Sequence, residues 1–225
     1  MKAMTSAALS FILFLCSLSY SLASKQQDVY EDLWNWNVDV ANKTLHVDFL
    51  QQMQTNSLQA ERYINFTLQD INYVLEVTNM LKMMSKKVRK PEDIRDFITG
   101  RYTSYKSFLD VLLQQYFFKD TPPIKPTPAM KKYLETYSAV MKKDPIYFAV
   151  ALLPCSRLWV WLANNLNIPE TNAYYTWKVD NTGGDPEKDY KALLNKYLDT
   201  NEKINTANTL FRKQMQNEHD FFATS

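Results

Sequence analysis

The sequence has 225 residues, of which 46% are hydrophobic and 22% charged, and its formal net charge is +2. This composition is that of a globular protein of one or two domains, not of a disordered chain or a polytopic membrane protein. Only 3 glycines occur, whereas average usage of about 7% would give about 16, so glycine-rich phosphate loops are excluded. No long basic run offers a nucleic-acid-binding surface.

The first 23 residues have the pattern of a secretory signal peptide. A weakly positive start is followed by an apolar run over 7–18, and Ser21 and Ala23 are small residues before a cleavage point. A run of about 12 is shorter than the roughly 20 residues of a membrane span, so a cleaved signal is favoured over an anchor. We therefore predict a signal peptide at 1–23 and a secreted domain at 24–225.

Cleavage at this point would remove Cys16 and leave Cys155 as the sole cysteine. A lone thiol in an exported protein is either an inert packing residue or a reactive group kept for chemistry. Glycosylation sequons begin at Asn42 and Asn65, which is compatible with export, although sequons are common by chance.

Helical patterns dominate the chain. Three helix starts are marked by a capping residue followed by proline: Thr127-Pro128, Asp144-Pro145 and Asp185-Pro186. No segment alternates apolar and polar residues long enough to predict a strand. We predict one all-α domain with more than 60% helix and loops at 119–127 and 181–185. The helices are placed at about 26–41, 44–53, 57–87, 91–118, 128–142, 145–167, 170–179 and 186–222, the last broken near Thr200.

Three of these helices carry a reactive side chain within an apolar stripe. Asp70 shares a helical face with Phe66 and Tyr73, and Cys155 and Glu218 occupy similar positions on later helices. Each carboxylate alone could face a water-filled crevice or a salt bridge. Because an unpaired buried carboxylate is costly, the three together favour a polar pocket. We expect Asp70, Cys155 and Glu218 to line one cavity, within about 10 Å of each other.

Pro154 lies inside the helix that carries Cys155. Its ring clashes with the preceding turn and it cannot donate to the carbonyl of Val150, so we predict a kink immediately before Cys155. Such kinks are often only packing features, but this one would open the backbone beside the thiol. Arg157, if it folds back toward the sulfur, would favour the thiolate near neutral pH.

The residues resemble the TenA/thiaminase II family. The segments at 69–73, 152–155 and 218–222, which read Gln-Asp-Ile-Asn-Tyr, Leu-Leu-Pro-Cys and Glu-His-Asp-Phe-Phe, match its motifs in order and spacing. His46-Val47-Asp48-Phe49 resembles the family's His-Pro-Phe segment, with Asn56 in place of a later glycine. Asparagine tolerates a left-handed turn best after glycine, so this substitution is mild.

This resemblance implies an all-α, haem-oxygenase-like multi-helix bundle in a single domain, and together with the predicted signal peptide it indicates a secreted, eukaryotic-type member. It implies cleavage of thiamin or a related aminopyrimidine, with Cys155 as the nucleophile and Glu218 as the acid/base group. Substrate-binding roles would fall to Asp70, Tyr73, Tyr133, Tyr137 and Phe221. It further implies a homo-oligomer that takes a small-molecule substrate, with no cofactor, metal, nucleic acid or membrane partner.

Several positions depart from the family. No tyrosine precedes Gly183-Gly184, and Ser156 and Arg157 stand where aromatic residues usually follow the cysteine. We therefore expect a remodelled pocket. Export points to degradation of thiamin outside the cell or to a changed role, and the sequence leaves hydrolase and transferase (thiamin pyridinylase-type) activities open.

An alternative is a secreted binding protein that holds thiamin or another aromatic ligand without turnover. His46 and His219 are the only histidines, so a haem ligand would have to be one of them. A lone histidine on a helix is more often a surface or capping residue, which disfavours haem. The presence of cysteine, aspartate and glutamate together favours catalysis, because a pure binding site needs no nucleophile.

Overall fold

The computed structural model describes residues 27–119 and 123–225, so the predicted signal peptide lies outside the described residues. Helices account for 77% of this part of the chain, and no strand occurs in it, which confirms the all-α prediction. The helices are α1 (Val29–Asn35), α2 (Val38–Leu45), α3 (Asp48–Gln54), α4 (Ala60–Lys87), α5 (Glu92–Gln115), α6 (Pro128–Val140), α7 (Ile146–Asn165), α8 (Tyr175–Thr182), α9 (Pro186–Tyr197) and α10 (Asn201–Ala223).

The helix α7 is the centre of the bundle. It packs against α2, α6, α8, α9 and α10, and residues 148–154 are buried on every side. Among the described residues it is the one helix long and apolar enough to cross a membrane, but most of it is covered by the other helices. Its apolar composition is therefore accounted for by its central position. Outside it, α4 packs against α5 and α6, and α10 packs against α2 and α6.

Side-chain caps fix several helix starts where the sequence placed them. The oxygens of Thr127 and Asp185 accept hydrogen bonds from N–H groups three residues later, at 3.2 and 3.1 Å. Thr200 caps α10 in the same way at 3.3 Å, so the predicted break near this residue separates α9 from α10. These helix starts can be predicted from the sequence because a side-chain cap depends only on the residues of the first turn.

Two predicted helices have different bounds in the structure. The segment at 26–41 forms two helices because the amide of Asn37, which is 1% exposed, donates to the carbonyl of Leu33 at 2.8 Å. The helix predicted at 170–179 begins only at Tyr175. Before it, the amide of Asn172 donates to the carbonyl of Met53 at 2.9 Å and holds the chain in turns.

The left-handed turn expected at Asn56 is present. Asn56 has a φ of 56°, and its side-chain oxygen accepts a hydrogen bond of 3.0 Å from the N–H of Ala173. This contact joins the end of α3 to the segment before α8.

Replacing Asn56 tests this turn. We expect Asn56→Ala to lower the free energy of unfolding by about 1–2 kcal/mol, because alanine disfavours a positive φ and cannot make the hydrogen bond. Asn56→Gly should lower it less, since glycine adopts this φ without strain. Urea unfolding of both variants measures the difference, and an alanine variant as stable as the parent would contradict the assignment.

Candidate active site

A cavity of about 410 Å³ lies between α4, α5, α7 and α8. Its inner part, which we call the floor, is formed by the buried and half-buried side chains of Phe66, Asp70, Tyr73, Cys155 and Trp159. Its outer part, which we call the mouth, is formed by the exposed lining residues Ser104, Phe108, Gln115, Asp180, Gly184, Asp185 and Asp189. A cavity of this size and apolar character suits a small aromatic ligand.

Glu218 on α10 lies behind the floor and is only 1% exposed. The hydroxyl of Tyr133 donates a hydrogen bond to one carboxyl oxygen, and the indole nitrogen of Trp159 donates to the other at 3.0 Å. Burial raises the pKa of Glu218 to about 7, although hydrogen bonds from these two residues and from Cys155 lower it. A carboxyl group with this pKa can both accept and release a proton near neutral pH.

Asp70 on α4 forms part of the floor. Within the described ranges no side chain or backbone group donates a hydrogen bond to its carboxylate. Burial and, to a smaller extent, the negative charge of Glu218 raise the pKa of Asp70 to about 7. A half-buried acceptor without a donor is suited to N–H groups of a ligand.

The thiol of Cys155 is half-buried on the same floor. Burial and the charge of Glu218 raise its pKa well above the ordinary value, while hydrogen bonds with Tyr73 and Tyr105 act in the opposite direction. The thiol is therefore protonated at neutral pH and needs a base before it can attack a carbon atom. The carboxyl group of Glu218, whose charge acts on this thiol, is the candidate for that base.

The expectation that Arg157 assists the thiolate is wrong. Its guanidinium donates to the carboxylate of Glu31 at 2.8 Å and lies over the ring of Tyr30 at 4.0 Å. Position 157 faces α1, where a carboxylate and an aromatic ring together bind the cation, so the side chain points away from the sulfur.

Tyrosine side chains connect the floor to the layer behind it. The hydroxyls of Tyr73 and Tyr137 are 2.8 Å apart, and Tyr137 donates to the carbonyl of Ala151 at 3.1 Å. The helix α7 continues through Pro154 without ending, and the carbonyl of Ala151 follows the one that Pro154 deprives of its donor. The turn of α7 in which Pro154 removes a backbone hydrogen bond therefore also contains the carbonyl that accepts from the hydroxyl of Tyr137.

The predicted site residues divide into two layers. Those that line the cavity are Asp70, Tyr73 and Cys155, and those behind it are Tyr133, Tyr137, Glu218 and Phe221. Phe221 stacks on Phe66, with ring centroids 4.9 Å apart, so Phe66 presents the aromatic surface to the cavity. The expectation that Glu218 lines the cavity is wrong. Its carboxyl group lies behind the cavity and interacts with two residues that do line it, Trp159 and Cys155.

Tyr105 and Trp177 also line the cavity, and the sequence analysis did not assign them to the site. Tyr105 interacts with the thiol of Cys155, and Trp177 packs against Trp159 with ring centroids 5.9 Å apart. A signal for Tyr105 was available, because it shares a helical face with buried residues of α5, including Ile98.

Neither histidine lines the cavity, and both bond to neighbours on the surface of the bundle. Within 27–119 and 123–225, no three His, Cys, Asp or Glu side chains are grouped to hold a metal ion. A haem at this cavity would therefore lack a histidine ligand from its lining.

No family model matches the sequence, and no curated protein does. Among solved structures, a TenA homologue from P. horikoshii is 20% identical, covers 87% of this chain and 97% of its own, and has a TM-score of 0.69. A TenA homologue from Pyrococcus furiosus is 16% identical over 86% and 98% of the two chains, with a TM-score of 0.72. A TenA-like thiaminase from Sulfolobus solfataricus is 20% identical over 86% and 93%, with a TM-score of 0.67.

The chain has the haem-oxygenase-like, all-α fold of the TenA homologues. At these identities the comparisons establish the fold alone. They give no support to the eukaryotic-type part of the prediction.

The raised pKa of Asp70 predicts how stability depends on pH. A carboxyl with a pKa of about 7 in the folded chain and about 4 in the unfolded chain stabilises the fold below about pH 4, and this contribution is lost as the pH rises through 7. Asp70→Asn removes the group that ionises. We expect the variant to match the parent at pH 4 and to exceed its free energy of unfolding at pH 8 by on the order of 1–3 kcal/mol.

Urea unfolding at both pH values measures this difference. Asp110→Asn, on the exposed face of α5 and outside the cavity, is the matched control and should behave as the parent at both. An Asp70→Asn variant that is less stable than the parent at pH 8 would mean that the carboxylate has favourable partners in the folded chain.

Proposed function

We propose that this protein is a thiaminase-like enzyme that cleaves thiamin or a related aminopyrimidine at the bond between the pyrimidine and the thiazole. The observation that carries the proposal is the arrangement of Glu218, hydrogen bonded by Tyr133 and Trp159, beside the thiol of Cys155. The fold shared with a TenA-like thiaminase supports it.

The floor fits an aminopyrimidine in shape and polarity. The ring of Phe66 and the indole of Trp159, whose centroids are 6.0 Å apart, provide flat apolar surface for a planar ligand. The carboxylate of Asp70 accepts hydrogen bonds from the exocyclic amino group and from a protonated ring nitrogen. This pairing would orient the ring with an electrophilic carbon toward Cys155.

The first step is addition of the thiol to the ring. A C–S bond forms while a C=N bond of the pyrimidine becomes single, Glu218 takes the proton from the thiol, and the ring keeps the proton on the nitrogen that pairs with Asp70. The exocyclic amino group then donates its electrons, and the bond from the methylene carbon to the thiazolium nitrogen breaks. The electron pair of that bond stays on nitrogen, so a neutral thiazole leaves.

The second step restores the enzyme. Water adds its oxygen to the methylene carbon and gives up a proton, after which the C–S bond breaks and the thiol regains its proton through Glu218. Thiamin and water thus give a hydroxymethyl pyrimidine, a thiazole and a proton. An amine or thiol in place of water would make the enzyme a transferase, and product analysis with such acceptors present distinguishes the two.

We also propose that the protein is exported after removal of residues 1–23 and works as a homo-oligomer. The apolar run before Ala23 supports export, and both sequon asparagines, Asn42 and Asn65, are exposed on their helices. N-terminal sequencing of protein from the culture medium tests the first proposal. Light scattering tests the second, and a monomer at micromolar concentration would contradict it.

Release of thiazole from thiamin tests the proposed function. We expect Cys155→Ser to abolish release, because a serine hydroxyl is a far weaker nucleophile toward this ring. Glu218→Gln should reduce it by about 100-fold or more, the usual effect of losing an acid/base group. Glu135→Gln, the same change on the exposed face of α6, is the control and should keep full activity.

A protein that binds thiamin without releasing thiazole would instead be a binding protein. The observation that favours this second function is the thiol of Cys155, whose pKa is raised well above its ordinary value. Full turnover by Cys155→Ser would contradict the role of the sulfur.

A further inference from the structure

The mouth of the cavity carries three aspartates, Asp180, Asp185 and Asp189, and these face one cationic side chain among the lining residues. That cation, Arg101, forms an ion pair of 2.9 Å with Asp189. Within the described ranges, neither Asp180 nor Asp185 forms an ion pair, and Asp185 uses one oxygen to cap α9. The mouth therefore carries uncompensated negative charge above the carboxylate of Asp70.

Aromatic rings line the same cavity as these carboxylates. Tyr63, Phe108, Tyr116 and Trp177 line the cavity together with Asp180. Aromatic faces beside carboxylates attract planar organic cations, because the ring quadrupole and the negative charges act in the same direction. Phosphate groups find the opposite environment, since the one nearby guanidinium is already paired.

The indole of Trp177, on the wall of this part of the cavity, carries an unpartnered polar group. Trp177 is 5% exposed, and its N–H has no acceptor among the described residues. Buried indole N–H groups usually find a partner in the protein or in a bound molecule.

We propose that the mouth selects the cationic, unphosphorylated substrate, with Asp180 as the residue that discriminates against phosphate esters. This inference rests on the proposed function and assigns the selection of the substrate to the outer part of the same cavity. Thiamin presents a positive thiazolium ring to the mouth, whereas its monophosphate adds a negative group that the three aspartates repel. Asp180 is the residue to test because it is exposed, caps no helix and forms no ion pair in the described chain.

Equilibrium binding to Cys155→Ser protein, which does not turn over, tests the proposal. The probes are thiamin, thiamin monophosphate and the neutral 4-amino-5-hydroxymethyl-2-methylpyrimidine. We expect thiamin to bind at least about ten-fold more tightly than its monophosphate. Adding Asp180→Asn should weaken the binding of thiamin and strengthen the binding of the monophosphate, which narrows the ratio of the two affinities by about five-fold. The affinity for the neutral pyrimidine should not change.

Two further variants sharpen the result. Asp180→Lys should bind the monophosphate more tightly than thiamin, because the sign of the local charge is reversed. Asp110→Asn changes the net charge by the same amount as Asp180→Asn but lies outside the cavity, so it should leave all three affinities unchanged. A far-ultraviolet dichroism spectrum confirms that each variant is folded.

Equal affinity for thiamin and its monophosphate, or a ratio that Asp180→Asn leaves unchanged, would overturn the inference. In that case the neutral pyrimidine still binds and the parent still releases thiazole, so the proposed function stands. If the proposed function is wrong, the neutral pyrimidine does not bind and the parent does not release thiazole. If none of the three probes binds, both proposals are overturned.

Discussion

The site depends on a carboxyl group that the fold removes almost completely from water. Glu218 is compatible with its position only because Tyr133 and Trp159 each donate a hydrogen bond to one of its oxygens. An isolated buried carboxylate would cost several kcal/mol or remain protonated. The helices α6, α7 and α10 supply these three residues, and each of the three helices packs against the other two. The contacts that form the centre of the bundle therefore also determine the protonation state of its reactive group.

This arrangement also affects the ionisation of the second carboxyl group, that of Asp70, and of the thiol of Cys155. Asp70 and Glu218 each have a pKa of about 7, and the charge of Glu218 contributes to that of Asp70, so ionisation of one opposes ionisation of the other. The same charge disfavours the thiolate of Cys155. In the proposed reaction, a proton passed between Glu218 and the sulfur avoids placing two negative charges side by side. This coupling explains why a thiol with a raised pKa is compatible with nucleophilic chemistry.

The sequence predicted those parts of the site that depend on helical periodicity. Asp70 and Cys155 were placed on inward faces because each interrupts an apolar stripe, and both line the cavity. The partners of Glu218 could not be predicted, since they depend on how α6, α7 and α10 cross. Arg157 was assigned wrongly because a long side chain takes the strongest partner within reach, and the carboxylate of Glu31 lies 126 residues away in sequence. Local caps such as Thr127 were predicted correctly because they need no distant partner.

The central claim is that Glu218 holds a proton near neutral pH. Carbon-13 NMR of protein labelled at the glutamate carboxyl carbons measures this directly, with the Glu218 signal assigned by its absence from Glu218→Gln. The account predicts titration near pH 7, shifted to lower pH in Asp70→Asn, where the neighbouring charge is removed. A Glu218 signal that titrates near 4.5, the ordinary value for glutamate, would contradict the account.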